Sequence, residues 1–302
     1  MPARRPEEFT KLASGMYLEG LAIDHARQII WYSDVIGGGI HGITPEGALV
    51  VTFNAERMWT GGVMMNADGA VLSSGQGGIM WNHPESGQSG WLLDAIDGAP
   101  INGINEMAAD SMGGIFFGTV DLDSVIKAEQ PGSTAIYRLS ATRELTKLAE
   151  GIGFSNGMMF DPARRRFYCN DTFTCTWAFD VGSDFALTNK QEFLAKDDAD
   201  GMALDAEGNV WITGFRSSFF ARVTPDAVLL PPVPSIAGAI TQLRFGGADG
   251  RDLYFNAVPI DGGDSLKDGV PLTEKRSFLY RGRADVVGLA IEPARFQLGY
   301  LT

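Results

Sequence analysis

Six times along the chain a short polar step hands over to an apolar strand that ends in a turn. The handovers are Glu19-Gly20 before Leu21, Gly61-Gly62 before Val63, Asn105-Glu106 before Met107, Asn156-Gly157 before Met158, Asp200-Gly201 before Met202, and Thr241-Gln242 before Leu243. They recur at intervals of about 41 to 51 residues, the length of a four-stranded propeller blade. The fifth repeat shows the internal order most plainly. Residues 202–205 read as a strand, 206–209 as a hairpin turn, 210–213 as a second strand, and 219–223 as a third after a loop at 214–218. Helical periodicity is absent over any useful length.

The pattern predicts an all-β fold: a six-bladed β-propeller of four-stranded antiparallel blades, with residues 1–302 forming a single domain. Each blade has an apolar face that only its neighbours can cover, so the units must close into a ring. Residues 9–14 are expected to pair with the last blade and latch that ring, and residues 259–275 read as a long inserted loop. Trp31, Trp177 and Trp211 fall at strand positions and are assigned to blade packing.

A chain of 302 residues, 45% hydrophobic and 20% charged, can bury an ordinary core. Its net charge of -13 repels nucleic acid, and no basic stripe offsets it. No window reaches the apolar length of a membrane span and no signal-peptide core follows the first residues. A cytoplasmic protein without a membrane partner, monomeric or a small homo-oligomer, is therefore expected. Cys169 and Cys175 form no paired metal pattern and read as structural thiols.

Equivalent positions in a propeller face one axis, so the handovers ring one mouth of the channel. Glu19, Asn105, Asn156 and Asp200 would bring two carboxylates and two amides together there, with Gly61-Gly62 leaving a gap. A set that presents oxygen, and neither sulfur nor imidazole, suits one hard divalent cation: calcium, magnesium, manganese, zinc or ferrous iron. Without a cation the carboxylates would repel each other. His25, His41 and His83 lie in or near turns, in no order that makes a nucleophilic triad. Gly37-Gly38-Gly39 precedes neither a helix nor a lysine, so it is a loop and not a phosphate cradle.

The phrases Glu19-Gly20-Leu21, Ile104-Asn105-Glu106, Ser155-Asn156-Gly157 and the run from Asp200 to Trp211 together resemble the SMP-30/gluconolactonase/luciferin-regenerating-enzyme family over nearly the whole chain. The resemblance implies a six-bladed propeller, one divalent metal held by Glu19, Asn156 and Asp200, and hydrolysis of a small-molecule lactone. It also implies Asn105 beside the metal as a substrate or water contact, and Asp200 as general base as well as ligand. One departure stands out. Sugar-lactone members of the family commonly carry an arginine two residues before the position of Asn105; here that residue is Gly103, and a guanidinium that would anchor hydroxyls is missing.

Loops at 73–78, 119–124, 170–174 and 214–218 are expected to rim the same mouth. They would bind substrate through Asp121, Asn170, Phe173, Phe215 and Arg216 alongside Asn105, with Met16, Tyr17, Met58, Trp59, Met80 and Trp81 as candidate apolar walls. Such a lining points to a substrate less hydroxylated than a sugar-acid lactone. The same metal site would also suit phosphotriester hydrolysis, or lyase or isomerase chemistry on a carbonyl substrate. A non-catalytic calcium-binding propeller is the reading from a different class.

Overall fold

Each handover opens a strand, and the turns at its far end set the register of the sheet that follows. A computed structural model describes residues 9–127, 129, 132, 134–235, 238–266 and 274–299. Four separate antiparallel sheets each run through four consecutive strands. The first uses Leu18–Asp24, Ile29–Asp34, Ile40–Ile43 and Leu49–Phe53; the second uses Thr60–Met65, Val71–Gly75, Gly78–Asn82 and Ser89–Leu93. The third uses Gly103–Ala109, Ile115–Val120, Thr134–Leu139 and Leu145–Ile152. The fourth uses Ser155–Asp161, Arg166–Asp171, Cys175–Val181 and Leu187–Leu194.

The repeat predicts six such sheets, whereas among the described residues eight further strands make one sheet, and Ala95–Ile96 pairs with Ala99–Pro100 in a separate small hairpin. Ala199–Leu204, Val210–Gly214, Phe219–Val223 and Leu229–Pro234 join Ala239–Gly246, Asp252–Val258, Ser277–Arg283 and Thr10–Gly15. The fusion rests on a single pairing, Gly214 with Ile240. The six innermost strands pack in chain order, each against the next, and Ala239–Gly246 packs against Leu18–Asp24. The result is a closed all-β propeller ring.

Thr10–Gly15 pairs antiparallel with Ser277–Arg283, so the start of the described chain completes the sheet built by its end, as expected of residues 9–14. Of the loop predicted at 259–275, Gly262–Leu266 forms a short 3-10 turn, and 267–273 lie outside the described residues. Where only a loop is predicted after Val120, the helix Leu122–Ile126 forms. Among the described residues no helix is long and apolar enough to cross a membrane. Cys169 and Cys175 are buried and free.

Five residues after a handover the innermost strand ends in a buried Asp24, Asn66, Asp110, Asp161 or Asp205. These side chains turn back on their hairpins. Asp205 Oδ1 accepts from the N–H groups of Glu207 at 3.0 Å and Asn209 at 2.9 Å, and its Oδ2 accepts from the Trp211 indole at 3.0 Å. Asp110 does the same for Met112 and Gly114, and Asp161 for Ala163 and Arg164. Fixing the hairpin fixes the register, and register decides which residues of the innermost strand face the axis. At this end the C-terminal segment lies across the turns: Leu289 N–H donates to Leu204 O, Ala294 N–H to Met65 O, and Phe296 N–H to Asn66 Oδ1.

Asp205→Ala strips an acceptor from the buried N–H of Asn209, the more exposed N–H of Glu207 and an indole. Urea unfolding is expected to show a loss of about 2–4 kcal/mol, with Asp205→Asn losing less. A loss below about 0.5 kcal/mol, the range of an ordinary surface change, would mean the turn is held by other contacts.

Candidate active site

Every handover is a β-bulge. The register between the innermost strand and its neighbour slips between Leu18 and Leu21, Thr60 and Val63, Ile104 and Met107, Ser155 and Met158, Ala199 and Met202, and Ile240 and Gln242. A bulge leaves a residue unpaired and re-aims its side chain. Repeated around a ring, it brings Glu19, Gly61, Asn105, Asn156 and Asp200 to one cavity, whereas the Thr241 hydroxyl donates to Leu18 O at 2.7 Å. The next residue is glycine in four of the repeats because the inner strands touch main chain to main chain. A Cβ on Gly157 would collide with the carbonyl of Asp200, and one on Gly20 with the carbonyl of Gly61.

Glu19, Asn156 and Asp200 are buried, and Asn105 is half-buried. Asn105 Nδ2 donates to Asn156 Oδ1 at 2.9 Å, Asn156 Nδ2 donates to Thr172 Oγ1 at 3.2 Å, and the Thr172 hydroxyl donates to Ala199 O at 2.7 Å. The Glu19 and Asp200 carboxyls are in hydrogen-bond contact. Burial above all pushes Glu19 up to about 8, and the charge of Glu106 adds to the effect. Asp200 is raised as well, by burial first and then by the charge of Glu19. Burial also raises the Tyr17 phenol, helped by Asp200 and Glu19.

Two buried carboxyls in contact need either a shared proton or a cation between them. Among the described residues, the buried Asp200 Oδ1 has no hydrogen-bond partner. A partnerless anionic oxygen beside a second carboxylate and two amides fits a hard divalent cation, with Glu19, Asn156 and Asp200 as its holders. Among the described residues no three His, Cys, Asp or Glu side chains converge, so a cation here would draw on further oxygen, for which the Asn156 amide is placed.

These groups floor a cavity of about 560 Å³. Tyr17, Trp59 and Phe154 stand two residues before Glu19, Gly61 and Asn156 and form wall of the same cavity. Phe173 packs edge-to-face on Phe154 at 6.2 Å and on Phe215 at 5.8 Å, making an aromatic row at the rim. The helix Leu122–Ile126 adds Leu122 and Val125, and Ile260 and Leu266 complete the apolar side.

Asn105, Phe173, Phe215 and Arg216 line this cavity; Asp121 and Asn170 do not. Asp121 caps the helix, accepting from the Ser124 N–H at 3.2 Å and hydroxyl at 2.7 Å, and borders a separate depression. Asn170 lies inside the strand Arg166–Asp171, fully buried, donating to Asp200 O at 2.7 Å and accepting from the Thr176 hydroxyl at 2.7 Å. It braces the main chain of Asp200. Met16, Met58, Met80 and Trp81 are also off the wall, and none of the three histidines is on it. Phe154, Thr172, Leu122 and Val125 escape the sequence reading. Phe154 had a usable signal, since it shares with Tyr17 and Trp59 the place two residues before a handover.

Below the floor, the residues after Asn105 and Thr241 are Glu106 and Gln242 in place of glycine. The Gln242 amide donates to Glu106, and Arg244 donates to Gln242 Oε1 at 2.7 Å and to Glu106 Oε2 at 3.4 Å. This buried ion pair ties Gly103–Ala109 to Ala239–Gly246 across the ring.

The profile of the SMP-30/Gluconolactonase/LRE-like region matches residues 18–258. The pentonolactonase XacC of Haloferax volcanii is 24% identical over 254 residues, 80% of this chain and 81% of its own length. The 6-deoxy-6-sulfogluconolactonase of Pseudomonas putida is 24% identical over 238 residues, 76% of this chain and 79% of its own. The crystal structure of a calcium-binding protein, regucalcin, from Agrobacterium tumefaciens superposes with a TM-score of 0.77 at 18% identity, over 95% of this chain and 98% of that one. A luciferin-regenerating enzyme gives 0.75 at 18% identity, over 96% and 99%. At such identities the superpositions speak for the propeller fold. With its profile matched over most of its length, the chain belongs to the SMP-30/gluconolactonase/LRE-like family.

Proposed function

We propose that the protein hydrolyses a lactone with a single divalent cation held by Glu19, Asn156 and Asp200. In the same reading residues 1–302 form one domain, and the eight-stranded sheet serves as two of six blades. The observation that carries the reading is the contact of two buried carboxyls, Glu19 and Asp200, with Asp200 Oδ1 left without a partner among the described residues. The names of the pentonolactonase and sulfogluconolactonase relatives support the reaction class, and the calcium-binding regucalcin supports an oxygen-loving ion.

A cation bound to these oxygens supplies Lewis-acid polarisation of an ester carbonyl. Asp200, holding the cation through one carboxylate oxygen, would take a proton from the attacking water with the other. The water oxygen bonds to the acyl carbon, the ring C–O bond breaks, and the proton passes from Asp200 to the departing alkoxide, leaving a hydroxy acid. Asn105 donates to Asn156 and is hydrogen-bonded to Glu19 as well, so it positions both groups and stands in the cavity where the substrate would contact it. Thr172 fixes the Asn156 amide, and Asn170 fixes the main chain of Asp200, so the floor is set before substrate arrives.

Asp200→Asn is expected to lower lactone kcat by about a thousandfold, and chelation to abolish turnover of the unmodified protein. Metal content by mass spectrometry and kcat with and without chelator test this together. Full turnover by the chelated protein, or by Asp200→Asn, would contradict the assignment.

A second expectation concerns stability. In metal-free protein Asp200→Asn removes one of two buried carboxyls in contact and should raise the melting temperature. Divalent cation at about a hundred times its Kd should stabilise the unmodified protein by about 2.7 kcal/mol and the variant far less. Equal cation-induced shifts for both, by scanning calorimetry, would place the ion elsewhere.

A further inference from the structure

The cavity wall carries more than catalysis at the floor requires. Trp59 and Phe173 hold left-handed backbone, with φ of +54° and +75°. Glycine or asparagine adopts that conformation at less cost than a bulky aromatic residue. Among the described residues three aromatics are held this way; two line this cavity, and the third, Phe185, packs beneath Arg138. Phe173 is 56% exposed, so core packing does not account for it. A large apolar side chain kept half in water on an unfavourable backbone is accounted for by what enters the cavity it faces.

Position 103 gives an independent argument. A Cβ on Gly103 would lie 2.5 Å from Leu122 Cδ1, so the room beside Asn105 is taken by an aliphatic side chain. Asn102 Oδ1 holds that side chain's helix in place by accepting the Leu122 N–H at 2.6 Å. Of the polar groups higher on the wall, Thr172, Arg216 and Asp261 are already engaged. Thr172 bonds to Ala199 and Asn156. Arg216 pairs with Asp197 at 3.1 Å and lies 4.9 Å from the Phe215 ring centroid. Asp261 pairs with Arg276 at 3.4 Å.

A polyol ring brought against such a wall exchanges water for carbon at several hydroxyls. An aryl or alkyl group gains contact over the same surface. The cavity, at about 560 Å³, also exceeds what a bare lactone ring fills. Resting on the lactonase reading above, we infer that the preferred substrate is a lactone whose ring bears an aryl or alkyl substituent seated along Trp59, Phe154, Phe173 and Phe215, in place of a polyhydroxylated sugar lactone.

The test compares kcat/KM of the metal-loaded full chain on γ-butyrolactone, a phenyl-substituted γ-butyrolactone and an aldono-γ-lactone. The phenyl lactone is expected to exceed the aldonolactone by more than about tenfold. Phe173→Asn removes the ring and suits the left-handed backbone. It should cut the ratio of phenyl-substituted to unsubstituted kcat/KM about tenfold while the melting temperature does not fall. Equal or better turnover of the aldonolactone overturns the inference and leaves the lactonase reading standing. So does a phenyl preference that survives both Phe173→Asn and Phe215→Ser. No turnover of any of the three by metal-loaded protein overturns both.

Discussion

The closeness of the six inner strands is the constraint from which the rest follows. Their main chains meet so tightly that Gly20 and Gly157 cannot bear a Cβ without striking the carbonyl of the next repeat. At the same level each strand carries a bulge that releases one residue from pairing and turns its side chain inward. Glycine and bulge are two sides of one local solution. The strands approach, and the displaced residue has the axis as its outlet. Four of the six outlets carry Glu19, Asn105, Asn156 and Asp200, whose side chains all present oxygen, which is how residues from 19 to 200 come to share one cavity floor.

Floor and wall are built on different principles. The floor sits on innermost strands whose register is fixed at the far end by Asp24, Asp110, Asp161 and Asp205, and it is closed beneath by Glu106, Gln242 and Arg244. It is rigid, buried and rich in groups that suit a cation. The wall comes from loops and one short helix, and it is aromatic and aliphatic. Such a division lets the chemistry of the floor stay constant while the wall selects what reaches it. Gly103 links the two, because its missing side chain is the space that Leu122 occupies beside Asn105.

Much of this was legible in the sequence for a definite reason: a polar residue interrupting an apolar run at blade spacing is both unusual and periodic. Glu19, Asn105, Asn156 and Asp200 were found that way, and the pairing of Thr10–Gly15 with Ser277–Arg283 followed from ring closure. What escaped depends on contacts between repeats. The fused eight-stranded sheet turns on one pairing of Gly214 with Ile240, which leaves no local trace. Asn170 read as rim because polar residues before a turn usually are, yet its partner is a carbonyl thirty residues on. Leu122–Ile126 is too short for helical periodicity to register. Phe154 goes unnamed in the sequence reading although it stands two residues before Asn156, as Tyr17 and Trp59 stand before Glu19 and Gly61.

The central claim is that Glu19, Asn156 and Asp200 meet on one ion. Crystals grown with manganese would test it through an anomalous difference map. The account predicts a single strong peak at the cavity floor, about 2.1–2.6 Å from oxygen atoms of all three side chains. A map without a peak there, or with its strongest peak bound by other residues, would contradict it.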